Sequence, residues 1–309
     1  MRKIQNFQSF YETDLRLALI QLDGEREQIV RKILMYSAIG LAVCLLLLFL
    51  GASLLPFILL VVAFGLFYYH HYRKFRERYK HEVIRHLVES EGLTYDPVQS
   101  IPKSDYQRSK IFTQHPSRYY GDDLVSGLVG KTAIRFSELH TQQQVGSGKN
   151  KRYETIFRGI FFIADFNKKF VGETIVLPDV SENLLGSFGS FLQGLNVMRP
   201  QLVKLEDVEF EKEFVVYSTD QVEARYILST ALMQRILQLK RNVNTGIALS
   251  FIDSHVCIAI TIRKNLFEAP HLFSSVDNYN QVAEYHGYIQ MCVDIVEQLD
   301  LNTRIWTKE

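Results

Sequence analysis

The stretch Val145-Gly146-Ser147-Gly148-Lys149-Asn150-Lys151-Arg152 is where the chain first invites a chemical reading. A Gly-Ser-Gly-Lys run can cradle phosphate oxygens with backbone N–H groups and a lysine. The phosphate-binding pattern, however, needs a first glycine where Gln143 stands, a Ser or Thr where Asn150 stands, and a strand-to-helix setting. None of these is met, so the stretch reads as a solvated hairpin loop. Carboxylates offer acid-base chemistry next. Glu206, Asp207, Glu209, Glu211 and Glu213 form an acidic run, and Asp122, Asp123, Asp165 and Glu223 are scattered acids that folding could assemble. Without a partner and a pocket they read as solvated charge. His255, His271 and His286 have no short metal-ligand spacing, and Cys44, Cys257 and Cys292 form no C-x-x-C pair, so a zinc or disulfide framework is not expected. No catalytic, cofactor-binding or metal site is assigned.

The elements that would carry these residues begin with an apolar stretch. From Ile33 to Tyr69 there is no charged side chain. Crossing roughly 30 Å of hydrocarbon takes about 20 helical residues, so residues 33–72 suit two passes, about 33–50 and 54–72. Gly51, Ala52 and Ser53 supply the turn, and Pro56 is tolerated early in the second helix, where its missing N–H has no intrahelical partner. Arg31 and Lys32 precede the first pass; Arg73, Lys74, Arg76, Arg78 and Lys80 follow the second, and the turn carries no charge. By the positive-inside rule both termini are cytoplasmic, and the second basic cluster is expected at the lipid interface with anionic headgroups, flanked by Tyr68, Tyr69 and Tyr72. Residues 1–32 precede the apolar run as a polar, moderately amphipathic leader, unlike a cleaved signal peptide.

After the second pass, residues 73–91 read as a basic juxtamembrane helix stopped by Gly92. Residues 92–309 then read as an α+β domain of antiparallel strands with packed helices. Residues 92–120 read as an irregular connector with short ordered pieces. Strands are expected at Leu124 to Val129, Thr132 to Leu139, Thr155 to Phe166 and Phe170 to Leu177, with Gly159 to Ile163 buried on both faces and therefore central. Residues 181–200 stay open between a helix and a lid. Gln201 to Val208 and Phe210 to Ser218 read as extended. Asp220 opens a helical stretch that Ser229 and Thr230 can divide, Ile247 to Ile252 and His255 to Ile262 form a hairpin about Asp253-Ser254, and Gln281 to Leu299 is a helix capped by Asp277 or Asn278.

Phe157-Arg158-Gly159-Ile160-Phe161 with Ala164 to Phe170, followed by Phe210-Glu211-Lys212-Glu213-Phe214 and Asp220 to Leu228, resembles a bacterial family known as domain of unknown function 3137. The resemblance spans roughly residues 100–309, and the paired apolar segments suit that family's layout. It implies a bacterial inner-membrane setting and brings no activity or catalytic residues. Gly159, Asp165, Glu223 and Arg225 are the candidate positions inside the matching stretches.

The formal charge of +1 averages an uncharged stretch with a charged remainder and says little alone; no nucleic-acid partner is expected. The expected role is a non-enzymatic interaction or scaffold module with a protein partner, tethered to the bilayer. The alternative is a membrane-associated enzyme acting on a lipid or envelope precursor through acids such as Asp122, Asp123, Asp165 or Glu223. A pore-forming subunit ranks last, since His70 and His71 fall at the end of the apolar run.

Overall fold

The computed structural model describes residues 7–51, 53–166, 168–179 and 199–302. Residues 181–198 of the segment left open above lie outside the described residues. The chain divides into two compact units, Met1–Glu91 with Phe267–His286, and Gly92–Leu266 with Gly287–Glu309.

The first unit is helical. Helix α1 (Phe7–Phe49) and helix α2 (Leu55–Ser90) are each long and apolar enough to cross a membrane. The chain reverses between them with Gly51 at φ +69°, a conformation that an L side chain adopts only with strain. Within the apolar halves, Leu41, Leu45, Leu59 and Val61 are between 60% and 73% exposed, so these helices turn hydrocarbon outward. The leader is continuous with the first apolar helix, through a π-helical turn at Tyr11–Leu15.

That leader is held by the unit's C-terminal segment. Tyr11, Leu15, Leu19 and Leu22 form a buried stripe at helical spacing. The Tyr11 hydroxyl donates to Asp277 Oδ1 at 2.5 Å, and burial, with Asp277 beside it, pushes its pKa up. Asp23 Oδ1 accepts from the Val276 N–H at 2.9 Å and from Arg26 Nε at 2.8 Å, while Arg26 Nη1 reaches the Leu272 carbonyl at 3.0 Å. Burial raises the Asp23 pKa, yet these donors outweigh it and hold the carboxyl below its ordinary value. The far half of α2 turns inward, with Phe75, Tyr79, Val83, Ile84, Leu87 and Val88 buried.

The second unit is built on an antiparallel sheet. Its described strands are β1 (Thr94–Asp96), β2 (Arg118–Val129), β3 (Thr132–Val145), β4 (Arg152–Asp165), β5 (Thr174–Pro178), β6 (Gln201–Val203), β7 (Phe214–Ser218), β8 (Ile247–Ile252) and β9 (His255–Thr261). Their order is β1-β2-β3-β4-β9-β8-β5-β7-β6. Strand β4 is interior, flanked by β3 and β9, as its doubly apolar run requires. Phe157, Phe161 and Ile163 face one side, in a core with Leu139, Cys257 and Ala259, and that side also buries Tyr106 of helix α3 (Lys103–Arg108). Phe162 faces the other side, stacked on Phe136 at 6.4 Å. The Gly-Ser-Gly-Lys stretch closes the β3–β4 hairpin, where Val145 pairs with Arg152.

The extended reading of residues 201–218 needs correction. Only Gln201–Val203 and Phe214–Ser218 are strands, and Val208–Glu213 is helix α4. Asp207 causes the difference, because its carboxylate accepts from the N–H groups of Glu209 and Phe210, both at 3.0 Å. The acidic residues that follow sit in the helix's first turn, where the peptide dipoles favour negative charge. The Phe210 N–H in particular holds the Asp207 carboxyl below its ordinary pKa. Asp220 caps helix α5 (Gln221–Ile227) and Ser229 caps helix α6 (Thr230–Val243) in the same manner, so the helical stretch is divided where Ser229 predicts. Helix α7 (Tyr279–Gln298) starts with Asn278 Oδ1 accepting from the Gln281 N–H at 3.3 Å, and its first turns belong to the first unit.

Candidate functional site

Three places gather polar side chains, and they differ in what they can do. The first lies on β2 and β3. A bulge between Asp122 and Val125 turns Asp123 inward at φ +58°, a conformation Asp tolerates better than most residues. Asp122 pairs across the sheet with Glu138, and the carboxylate oxygens of Asp122, Asp123 and Glu138 come within 4.8 Å of one another. Oxygen-only donors of this kind suit a hard cation such as Ca²⁺ or Mg²⁺. All three are already engaged. Asp123, fully buried, accepts the Tyr95 hydroxyl, and Glu138 accepts the Leu266 N–H at 2.6 Å. These bonds tie the β1 edge and the chain after β9 to the sheet, which is a structural duty.

The candidate positions from the sequence are dispersed. Gly159 lies on β4 at φ +148°, and a Cβ there would sit 2.0 Å from the Ile260 carbonyl oxygen, so the position serves strand packing. Asp165 ends β4, paired in register with His255. Glu223, on α5, accepts the N–H groups of Val171 at 3.1 Å and Gly172 at 2.7 Å, fastening the loop before β5. Arg225 is exposed and reaches the Gln221 carbonyl at 3.3 Å. Of the four acids that folding could assemble, Asp122 and Asp123 come together with Glu138, while Asp165 and Glu223 have other duties.

In the basic cluster after the apolar run, Arg73 pairs with Glu77 at 2.9 Å and Arg78 with Glu25 at 2.5 Å, and both stay more than half exposed. Lys74 is exposed and Arg76 partly so. Lys80 is only 4% exposed, because the helix turns its face inward from Tyr79 onward. Lys80 therefore does not present its charge at the surface as the other four do.

The third place is a cleft of about 950 Å³ inside the second unit, which sequence reasoning missed. Its wall is the end of α6, where Asn244 at φ +51° caps the helix with its N–H on the Lys240 carbonyl at 3.0 Å. From there the chain enters β8, and Thr245 Oγ1 donates to the Thr261 carbonyl at 2.7 Å, which locks the turn onto the end of β9. The apolar lining includes Leu237, Val243, Ile262 and Met291, and cations from three segments stand around it: Lys212, Lys240 and Arg241, and Arg263 and Lys264. Lys240 pairs with Glu213 and Arg241 with Glu209. The Lys264 ammonium lies 5.7 Å from the Tyr288 ring centre, a cation–π contact. Asp179 and Glu213 are the acids in the lining, and the Asp122 cluster is not part of it. These cations are far apart in the sequence and resemble ordinary surface charge until the fold collects them.

The cysteines serve packing. Cys257 and Cys292 are free and buried, and burial pushes the Cys257 thiol up to about 12, far from a reactive thiolate.

No curated protein matches the chain. Among solved structures, the crystal structure of the mycobacterial trehalose monomycolate transport factor A, TtfA, is similar at 10% identity and a TM-score of 0.37, over 70% of this chain and 93% of that one. A likeness so slight transfers neither fold nor activity. Residues 155–301 match the family model described as "Protein of unknown function (DUF3137)", starting in β4 and so covering less of the chain than the sequence resemblance implied. The motifs from Phe157 to Leu228 that carry that resemblance all lie inside the matched span, and the match supports the resemblance to this family.

Proposed function

We propose that this chain is a two-pass protein of the bacterial inner membrane, with both termini in the cytoplasm, whose sheet unit is a non-enzymatic interaction module held at the leaflet. One observation carries the reading. The charge-free stretch from Ile33 to Tyr69 forms two helices whose apolar side chains point outward, in a molecule whose other large apolar side chains are mostly buried. Water penalises such a surface by about 25 cal/mol per Å², whereas hydrocarbon does not. The exposed Arg73, Lys74 and Arg78 support the orientation and add attraction to anionic headgroups. The module binds a protein partner, and no nucleic acid.

The enzyme reading, with a lipid or envelope precursor as substrate, draws on the convergence of Asp122, Asp123 and Glu138. It is the weaker reading, because those acids lie outside the cleft and two of them are hydrogen-bonded to the chain itself.

Protease added to intact spheroplasts tests the topology. The sheet unit is expected to survive there and to be digested in inverted membrane vesicles. Digestion in the spheroplasts would overturn the orientation.

A further inference from the structure

We infer that the cleft at the end of α6 binds a small anionic amphiphile, a phosphate or carboxylate head joined to an apolar portion. The inference does not depend on the bilayer reading, since the lining lies wholly within the second unit. At about 950 Å³ the cleft is at the upper end of the size of small-molecule sites, which are mostly apolar with a few convergent polar groups. Its charge is unbalanced, with five cations in the lining against the carboxylates of Asp179 and Glu213. Lys240 and Arg241 have a structural reason, because they occupy the last turn of α6 and complement its dipole. Lys212 likewise occupies the last turn of α4, whereas Arg263 follows β9, where no helix end accounts for it. Neither has an ion-pair partner among the described residues.

The ligand class follows from what each simpler ligand leaves undone. A neutral apolar molecule would make no use of the exposed cations at the rim, Lys212 and Arg263. An inorganic anion would leave the half-buried Val243, Ile262 and Met291 facing water. A head that Arg263 can grip with two N–H groups, joined to a hydrocarbon portion, answers both sides of the cleft. Met291 adds an adaptable wall that tolerates tails of different shape.

Calorimetric titration of the full chain in zwitterionic nanodiscs, with empty nanodiscs as blank, tests this with hexyl phosphate, inorganic phosphate and hexanol. Hexyl phosphate is expected to bind at least about ten-fold tighter than either of the others, since the tail and the head each contribute. The double variant Lys212→Gln/Arg263→Gln is expected to lose about ten-fold in affinity with its thermal unfolding unchanged, whereas Lys151→Gln on the β3–β4 loop binds as the parent does. Should the double variant lose its unfolding transition, Lys264→Gln carries the same test. Two sources can supply such a head. If it comes from a membrane lipid, nanodiscs containing phosphatidic acid weaken hexyl phosphate by competition; an unchanged affinity identifies a free metabolite. Either result upholds the cleft. Equal binding of inorganic phosphate or hexanol, parent-like binding by the double variant, or no heat from any probe overturns the proposal.

Discussion

Leu45 and Ile258 are side chains of nearly equal size put to opposite uses: Leu45 is 60% exposed on α1, and Ile258 is fully buried in β9. The helical pair and the sheet are both rich in apolar residues, yet one turns them outward and the other inward. In the sheet each apolar side chain meets another across a strand or a face, so its removal from water stabilises that unit by itself. In the apolar halves of α1 and α2 many of the same atoms are exposed, a surface that suits a nonpolar medium better than water. Hydrophobic content therefore says little until one knows which surface it faces.

The largest effect expected from this contrast is on the sheet side. Gly159→Val drives a branched side chain against the Ile260 carbonyl at φ +148°, and a loss of about 4 kcal/mol or more is expected, read as failure of the full chain to show a cooperative urea transition. A transition within 1 kcal/mol of the parent would mean that the interior of the sheet is less tightly built than the strand register requires. Next comes Leu45→Arg. If α1 lies in hydrocarbon, insertion is penalised by about 2.5–3.5 kcal/mol and the membrane-integrated fraction falls. In water the same exposed substitution would change stability by less than about 0.5 kcal/mol, so this variant separates the two surroundings directly.

Asp207→Ala removes the cap of α4 and is expected to destabilise the sheet unit by about 1 kcal/mol, measured by urea unfolding. An unchanged midpoint would show that packing of Phe210 alone sets the helix. The smallest effect concerns the leader. The Asp23 carboxyl is held below its ordinary pKa, so its contribution is fully present above about pH 4, where the unfolded group is ionised, and is lost as pH falls through the lower folded value. Hydrogen exchange at the Val276 amide is expected to quicken, relative to its intrinsic rate, over that acid range in the parent. Asp23→Asn should flatten the pH dependence, at a cost of about 1 kcal/mol or less.

What was legible in the sequence was what local chemistry decides. The apolar run, the reversal at Gly51, the caps at Asp220 and Ser229, and the Asp253-Ser254 hairpin all follow from neighbours within a few residues. The break at Val208–Glu213 was equally local, but the run of Glu hid the capping role of Asp207. Less legible was everything that depends on distant pairing. Strand β5 joins β7 and β8 and not β4, with β9 and β8 placed in between, because buried strands of similar composition carry no label for their partner. The attachment of the leader through Tyr11 and Asp23 to residues 272–277 crosses most of the chain, and the cleft draws cations from α4, α6 and the segment after β9. The inward turn of Lys80 was hidden by its basic neighbours, which remain at the surface.

The contrast between the two surfaces comes down to where residues 33–72 reside. Washing membranes from cells expressing the full chain with alkaline carbonate measures it. The chain is expected to stay in the pellet with integral proteins and to be released only by detergent. Recovery of the folded chain in the carbonate supernatant would contradict it.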